Sequence, residues 1–208
     1  MIKQQEQIKT TLANLYNDSK CDMLRLMKGA TKSIFRSMQP SDFKDAYLSI
    51  SKEQGADLVQ LIKENNLKNI VEFGTSFGVS TLFLAQGVLE TGGRIITTEL
   101  IESKARQAIK NFEAAGVNDL IEVRIGDALA TLKNHKDPID LLLLDGWKDL
   151  YLPLFQMLEP NFHTNTLIYV DNADMPDSQL FLKTVRQDSR YQLHAVFGDK
   201  AILITLKK

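Results

Sequence analysis

The sequence predicts an α/β fold: a mostly parallel seven-stranded sheet with helices on both faces and an antiparallel hairpin at its C-terminal end. Three observations carry this. From Asn69 onward, short apolar runs alternate with stretches of helical period, the pattern of strands joined by crossover helices. The runs are apolar at consecutive rather than alternate positions, so both faces of the sheet are covered. The last two runs, in "YQLHAVFGDKAILITL", are separated by Gly198-Asp199, a two-residue hairpin turn with glycine first.

Taken in order, residues from Met1 to about Ala46 carry no strand signal. Ile8, Leu12, Leu15 and Tyr16 fall at helical spacing, and a second amphipathic piece runs through Met23, Leu24, Leu26 and Met27. Gly29 and Pro40 break this region into short helices. Residues 1–46 are therefore expected to form an N-terminal helical extension, and residues 47–208 the sheet-bearing domain. Phe35, Met38, Phe43 and Tyr47 could line a pocket, although an apolar stripe is more often core. Ser51 and Gln54 make a capping box that opens the helix "KEQGADLVQLIKENN". The strands are "NIVEF", "RIITTE", "IEVRIGD", "DLLLLD" and "TLIYVD"; between the second and third, "ESKARQAIKNFEAAG" is a helix stopped by Gly116.

Length and composition set limits. A chain of 208 residues suits one domain with a substantial core, and 44% hydrophobic with 25% charged residues is ordinary for a soluble protein. A net charge of -1 argues against a broad nucleic-acid footprint. The single cysteine, Cys21, rules out an internal disulfide and fits a reducing compartment. "MIKQQEQIKT" is too polar for a signal peptide, and no apolar run reaches the ~20 residues that span a bilayer. A cytoplasmic protein without a membrane partner is the expectation.

The acids are placed more informatively than the hydrophobics. Glu72, Glu99, Asp127, Asp145 and Asp171 each stand at or just past the C-terminal end of a strand. In a parallel sheet those ends share one rim, and ligands bind outside it where the strand order reverses. Any one carboxylate could simply cap the following helix. Five on one rim repel one another unless cations or hydrogen-bond donors compensate.

The turn "EFGTSFGVS" suggests what compensates them. Gly74 and Gly78 let a ligand approach the main chain, but their spacing is not that of dinucleotide binders, and no basic residue follows to hold a phosphate. Glu72 would repel a pyrophosphate and attract a cationic amine. Glu99, at the end of the next strand, lies where a ribose-binding acid is expected. A ligand with a ribose and a positive charge but no phosphate fits, and S-adenosylmethionine is such a molecule.

From about Leu48 to the C-terminus the chain resembles the class I S-adenosylmethionine-dependent O-methyltransferases, in particular the metal-dependent branch of catechol and caffeoyl-CoA O-methyltransferases. "VEFGTSFGVST" is similar to that family's first motif, "TTEL" supplies its ribose acid, and "GDA" resembles its adenine-edge motif. "LLLLDGWKDLY" is close to the catechol-enzyme pattern, and "YVDNADMP" matches its acid-amide pair. The resemblance implies a Rossmann-like methyltransferase fold and an enzyme. It assigns cofactor contacts to Ile50, Glu72, Gly74, Gly78, Ser80, Glu99, Asp127, Ala128 and Asp145. It assigns a divalent metal to Asp145, Asp171 and Asn172, catalysis to Lys148 and Asp145, and an acceptor pocket to Tyr47, Trp147, Lys148 and Asn172. A homodimer is also implied.

The residue chemistry agrees with that assignment. Two carboxylates and an amide oxygen are hard ligands suited to magnesium, manganese or calcium, whereas Cys21, His135, His163 and His194 supply no zinc set. The metal would hold adjacent oxygens of a small, catechol-like acceptor. Lys148 would take the hydroxyl proton, which requires its pKa to fall from about 10.4. The alternative for Lys148 is an ion pair with Asp149 or Asp145, and for Trp147 a place in the core. In the catechol enzymes a late-loop carboxylate grips the second hydroxyl, and "VRQDSRYQ" offers Gln187 or Asp188 here. A bacterial branch of the family methylates hydroxylated uridine in tRNA, for which Lys28, Lys32, Arg36 and Lys44 would serve. An NAD-dependent oxidoreductase on a similar sheet is disfavoured by the glycine spacing and Glu72.

Overall fold

Seven strands form one sheet: β1 (Asn69–Phe73), β2 (Arg94–Glu99), β3 (Ile121–Ile125), β4 (Ile139–Leu144), β5 (Phe162–Val170), β6 (Tyr191–Val196) and β7 (Ala201–Leu206). Their order is β3-β2-β1-β4-β5-β7-β6. The first five run parallel, and β7 is antiparallel to both of its neighbours. This is the predicted architecture. The computed structural model describes residues 1–19, 42, 45, 46 and 49–207. Cys21, Tyr47, the apolar positions Met23, Leu24, Leu26, Met27, Phe35, Met38 and Phe43, the breakers Gly29 and Pro40, and the basic Lys28, Lys32, Arg36 and Lys44 lie outside the described residues.

The described helices are α1 (Ile2–Asp18), α2 (Lys52–Glu64), α3 (Val79–Thr91), α4 (Glu102–Ala114), α5 (Ala128–Thr131), α6 (Tyr151–Leu158) and α7 (Pro176–Gln187). Side chains alternate across each strand, and consecutive apolar residues therefore feed two cores. Ile70, Ile95, Leu141 and Leu143 pack with α1 to α4, whereas Val71, Ile96, Leu142 and Leu144 pack with α5 to α7. α3 is buried from Val79 through Leu84 without a break because it lies between the sheet and the outer helices. α1 buries Ile8, Leu12 and Leu15 in that same core, so this helix shares the hydrophobic interior of the sheet. Among the described residues, no helix is long and apolar enough to cross a membrane.

Local signals account for the ends of the elements. Ser51 Oγ accepts from the Gln54 N–H at 3.1 Å and Gln54 Oε1 accepts from the Ser51 N–H at 3.3 Å, closing the predicted box. Gly116, at φ 68°, stops the chain beyond α4. In the terminal hairpin the Lys200 N–H donates to Phe197 O at 3.3 Å around Gly198 and Asp199, both at positive φ. Phe197 itself takes φ 51°, so regular pairing ends one residue earlier, at Val196 and Ala201.

Two features place the late segments. α7 starts at the rim beyond β5 and runs back, which carries Gln187 and Asp188 to the opposite edge where β6 begins. The β6–β7 turn then returns to the rim, where the Ala173 N–H donates to Lys200 O at 2.8 Å.

Candidate active site

The five acids do share the rim, in the order Asp127, Glu99, Glu72, Asp145, Asp171 across β3, β2, β1, β4 and β5. The strand order reverses between β1 and β4, and the glycine turn follows β1 at that point. The turn curls over β2: the Gly74 and Thr75 N–H groups both donate to Thr98 O, at 3.2 and 3.0 Å. The two glycines have packing reasons that the sequence reading did not include. A Cβ on Gly74, at φ 108°, would lie 2.6 Å from Asp145 O. A Cβ on Gly78, at φ 87°, would lie 2.4 Å from the Phe112 ring. Both glycines therefore let protein meet protein, and Gly74 locks the turn to the main chain of Asp145.

Glu72 does not project toward solvent. It is fully buried; its Oε2 accepts from the Thr81 and Thr97 hydroxyls at 2.5 and 2.6 Å, and its Oε1 has no partner among the described residues. Burial raises its pKa; the Ser80, Thr81 and Thr97 hydroxyls oppose the shift. A buried carboxyl oxygen left without a partner beside the glycine turn is a group that a cationic ligand would satisfy. A carboxyl raised in the folded state keeps its proton to higher pH than in the unfolded chain. The folded state then binds more protons, and stability falls as pH rises through that interval. Glu72→Gln should accordingly flatten the fall of the denaturation midpoint as pH rises above the ordinary carboxylate range, measured by chemical unfolding at each pH.

Glu99 is nearly buried and turns both oxygens to main-chain donors, Ser76 N–H and Ile101 N–H, each at 2.8 Å. Each carboxylate oxygen retains a lone pair for a diol. Asp127 is exposed and caps α5 through the Leu129 N–H at 2.9 Å, with Ala128 buried behind it. Ser80 and Ile50 are buried, and Ile50 O accepts from the Tyr16 hydroxyl at 2.9 Å.

At the ends of β4 and β5 the arrangement differs, because neither acid caps a helix. Asp145 and Asp171 follow adjacent parallel strands; the Asp145 N–H donates to Phe73 O at the end of β1 and the Asp171 N–H to Leu144 O at the end of β4, both at 2.9 Å. The Asp145 carboxyl is held well above the usual carboxylate range, first by burial and then by the charge of Asp171, with Lys148 opposing. Two acids forced together in this way hold either a proton or a cation. Asn172 stands beside them at φ 52°; its carbonyl accepts from Ser178 Oγ and the Met175 N–H. Two carboxylates plus an adjacent carboxamide form a hard-oxygen donor set that suits a small divalent ion and does not suit zinc.

Lys148 makes neither ion pair considered for it. Its Nζ donates to Gly146 O at 2.9 Å and lies 5.5 Å above the Tyr151 ring. Asp149 instead accepts from the Trp147 indole N–H at 3.2 Å, and Trp147 packs partly buried at the edge of the second core. The histidines lie elsewhere: His163 bonds Asp140 at 2.9 Å at the start of β5, and His194 bonds Thr205 at 3.2 Å.

One expectation is corrected. Gln187 and Asp188 are at the far edge of the sheet from Asp145 and Asp171, because α7 runs the height of the sheet before they occur; Asp188 is paired there with Arg190. The late-segment carboxylate at the rim is Asp199, exposed on the hairpin turn. The turn signal that predicts the hairpin could have located it. A second omission is Gln54, whose Nε2 donates to Asp171 Oδ1 at 2.8 Å.

A family model described as O-methyltransferase matches residues 32–188. The chain is 33% identical over 148 residues to a catechol O-methyltransferase of Niastella koreensis, covering 69% of this chain and 64% of that protein. It is 33% identical over 127 residues to a catechol O-methyltransferase of Mycobacterium tuberculosis, covering 61% and 57% respectively. It therefore spans 57% to 64% of the length of these curated relatives. Among solved structures, an O-methyltransferase from Bacillus cereus in complex with SAH superposes with a TM-score of 0.73 at 27% identity, covering 95% of this chain and 91% of that one.

Proposed function

Because the chain belongs to the O-methyltransferase family matched over residues 32–188, we propose that it transfers a methyl group from S-adenosylmethionine to a hydroxyl of a small aromatic diol, with a divalent cation at the site. The observation that carries this reading is the Asp145–Asp171 pair, crowded beside Asn172 and tied through Gly74 to the glycine turn. The SAH bound by the Bacillus cereus relative and the names of the catechol relatives support it.

When bound, S-adenosylmethionine would supply an electrophilic methyl group, with its sulfonium sulfur as the leaving group. Glu72 Oε1 would face the cationic end of that molecule, and Glu99 would accept from its ribose while keeping the turn closed through Ser76. A divalent ion held by Asp145, Asp171 and Asn172 supplies Lewis acidity, with magnesium the best match to the hard donors and manganese or calcium alternatives. Lys148 would accept the proton of the attacking hydroxyl at Nζ, held at the acceptor side by Gly146 O and the Tyr151 ring. Trp147 would wall the ring of the acceptor. Asp199, on the hairpin turn at the same rim, would take the part of Gln187 and Asp188 and accept a hydrogen bond from the second hydroxyl. Rate depends on holding oxygen, methyl and sulfur in line, which rigid strand ends do well.

The test is methyl transfer from labelled S-adenosylmethionine to catechol, a caffeoyl thioester and tRNA, each with and without a chelator. Transfer to the diol that stops on chelation is expected. Transfer only to tRNA would overturn the acceptor class, and transfer indifferent to chelation would remove the metal.

A further inference from the structure

Gln54 occupies the first turn of α2, where its capping role would explain it fully if the side chain ended there. It does not. The amide Nε2 reaches 117 residues along the chain to Asp171 Oδ1 at 2.8 Å, and both side chains are almost completely buried, at 1% and 3% exposure. Its Oε1 accepts from Lys200 Nζ on the hairpin turn at 3.2 Å as well as from the Ser51 N–H at 3.3 Å. One carboxamide thus joins the start of α2, the end of β5 and the turn that carries Asp199.

We propose that Gln54 is a positioning residue: its amide fixes Asp171 Oδ1, turns Oδ2 toward the cation, and ties that orientation to the hairpin turn bordering the acceptor. The inference rests on Asp171 being a cation ligand, as proposed above. The polarity of the amide is what the site needs. Its N–H gives Asp171 a charge-assisted hydrogen bond, while its oxygen takes the Lys200 ammonium and so anchors the amide to the hairpin turn. A buried carboxylate bonded through one oxygen has lost most of its rotational freedom, so the second oxygen is presented in one direction.

The experiment uses the full chain with S-adenosylmethionine bound and titrates Mn²⁺ by calorimetry. Gln54→Met keeps the length and removes the donor; Mn²⁺ affinity should fall about 10- to 100-fold, as for other residues that orient a ligand, with S-adenosylmethionine affinity unchanged. Ser51→Ala opens the capping box from its other side without touching Asp171, and should leave Mn²⁺ affinity as it is. Equal losses in the two variants would show that Gln54 acts only through the helix start, and the proposal would fall. Should Gln54→Met not fold, Gln54→Asn, an amide too short to reach Asp171, is expected to show the same loss, and wild-type affinity in it overturns the proposal. Asp171→Asn separates this inference from the reading beneath it. Unchanged Mn²⁺ binding in that variant removes the cation site itself, whereas a loss there with none in Gln54→Met removes only the role of Gln54.

Discussion

Asp171→Ala should abolish metal-stimulated methyl transfer, by about a hundredfold or more, while S-adenosylmethionine binding stays close to that of the parent protein. The size follows from what the substitution removes. Lewis acidity at a bound hydroxyl is worth several kcal/mol of barrier, and every 1.36 kcal/mol is about tenfold in rate. The selectivity follows from geometry. Asp171 lies beyond β5, two strands away from the glycine turn; its carboxylate accepts from Gln54, and its charge acts on Asp145. Losing it relieves the charge that helps hold the Asp145 proton, so the Asp145 pKa should drop toward the ordinary range. The measurement is turnover against Mg²⁺ concentration beside calorimetric titration of S-adenosylmethionine. Unchanged turnover would take the metal out of the mechanism; a matching collapse of S-adenosylmethionine affinity would mean that the two halves of the rim are one site.

The contrast between the halves of the rim bears on what could be read from sequence. Strand positions were legible because Leu141 through Leu144 are apolar on both faces, a pattern that only a covered parallel strand needs. The capping box at Ser51 and the stop at Gly116 were legible because their chemistry is local. The five acids were legible as a row, but their roles were not. Whether Glu72 points at a ligand or into Thr81 and Thr97 depends on the pleat and on a neighbouring strand. Gln54 looked complete as a cap, since nothing local shows that its amide meets a residue from β5. Gln187 and Asp188 were misplaced because the late loop of the catechol enzymes was matched by its order along the chain, which does not say at which end of the sheet it lies. A helix of 12 residues carries the chain about 18 Å, which is the height of the sheet. The return of the chain in β6 then makes the hairpin turn, with Asp199, the late segment at the site.

Gly74→Ala should be among the most destabilising single changes in the chain, at more than about 3 kcal/mol, and it should reach the chemistry as well. Two costs combine. At φ 108° a residue with a Cβ is strained by roughly 1–3 kcal/mol. The new carbon would also sit 2.6 Å from Asp145 O and 2.8 Å from Gly146 N, main-chain atoms that cannot rotate away. Relief requires β1 and β4 to part at their ends, which is where the glycine turn meets Asp145. Gly92→Ala isolates the first cost: φ is 71° there and nothing lies within 4 Å of the added carbon. That variant should lose about 1 kcal/mol, the usual penalty of a β-carbon at a left-handed helix terminus. At about 2–4 °C per kcal/mol for a domain of this size, Gly74→Ala should melt at least ~6 °C below the parent and Gly92→Ala only a few degrees below. Chemical denaturation of both variants checks the ranking. Equal losses would mean that the Gly74–Asp145 contact relaxes freely, and the tie between the glycine turn and the end of β4 would carry no energy.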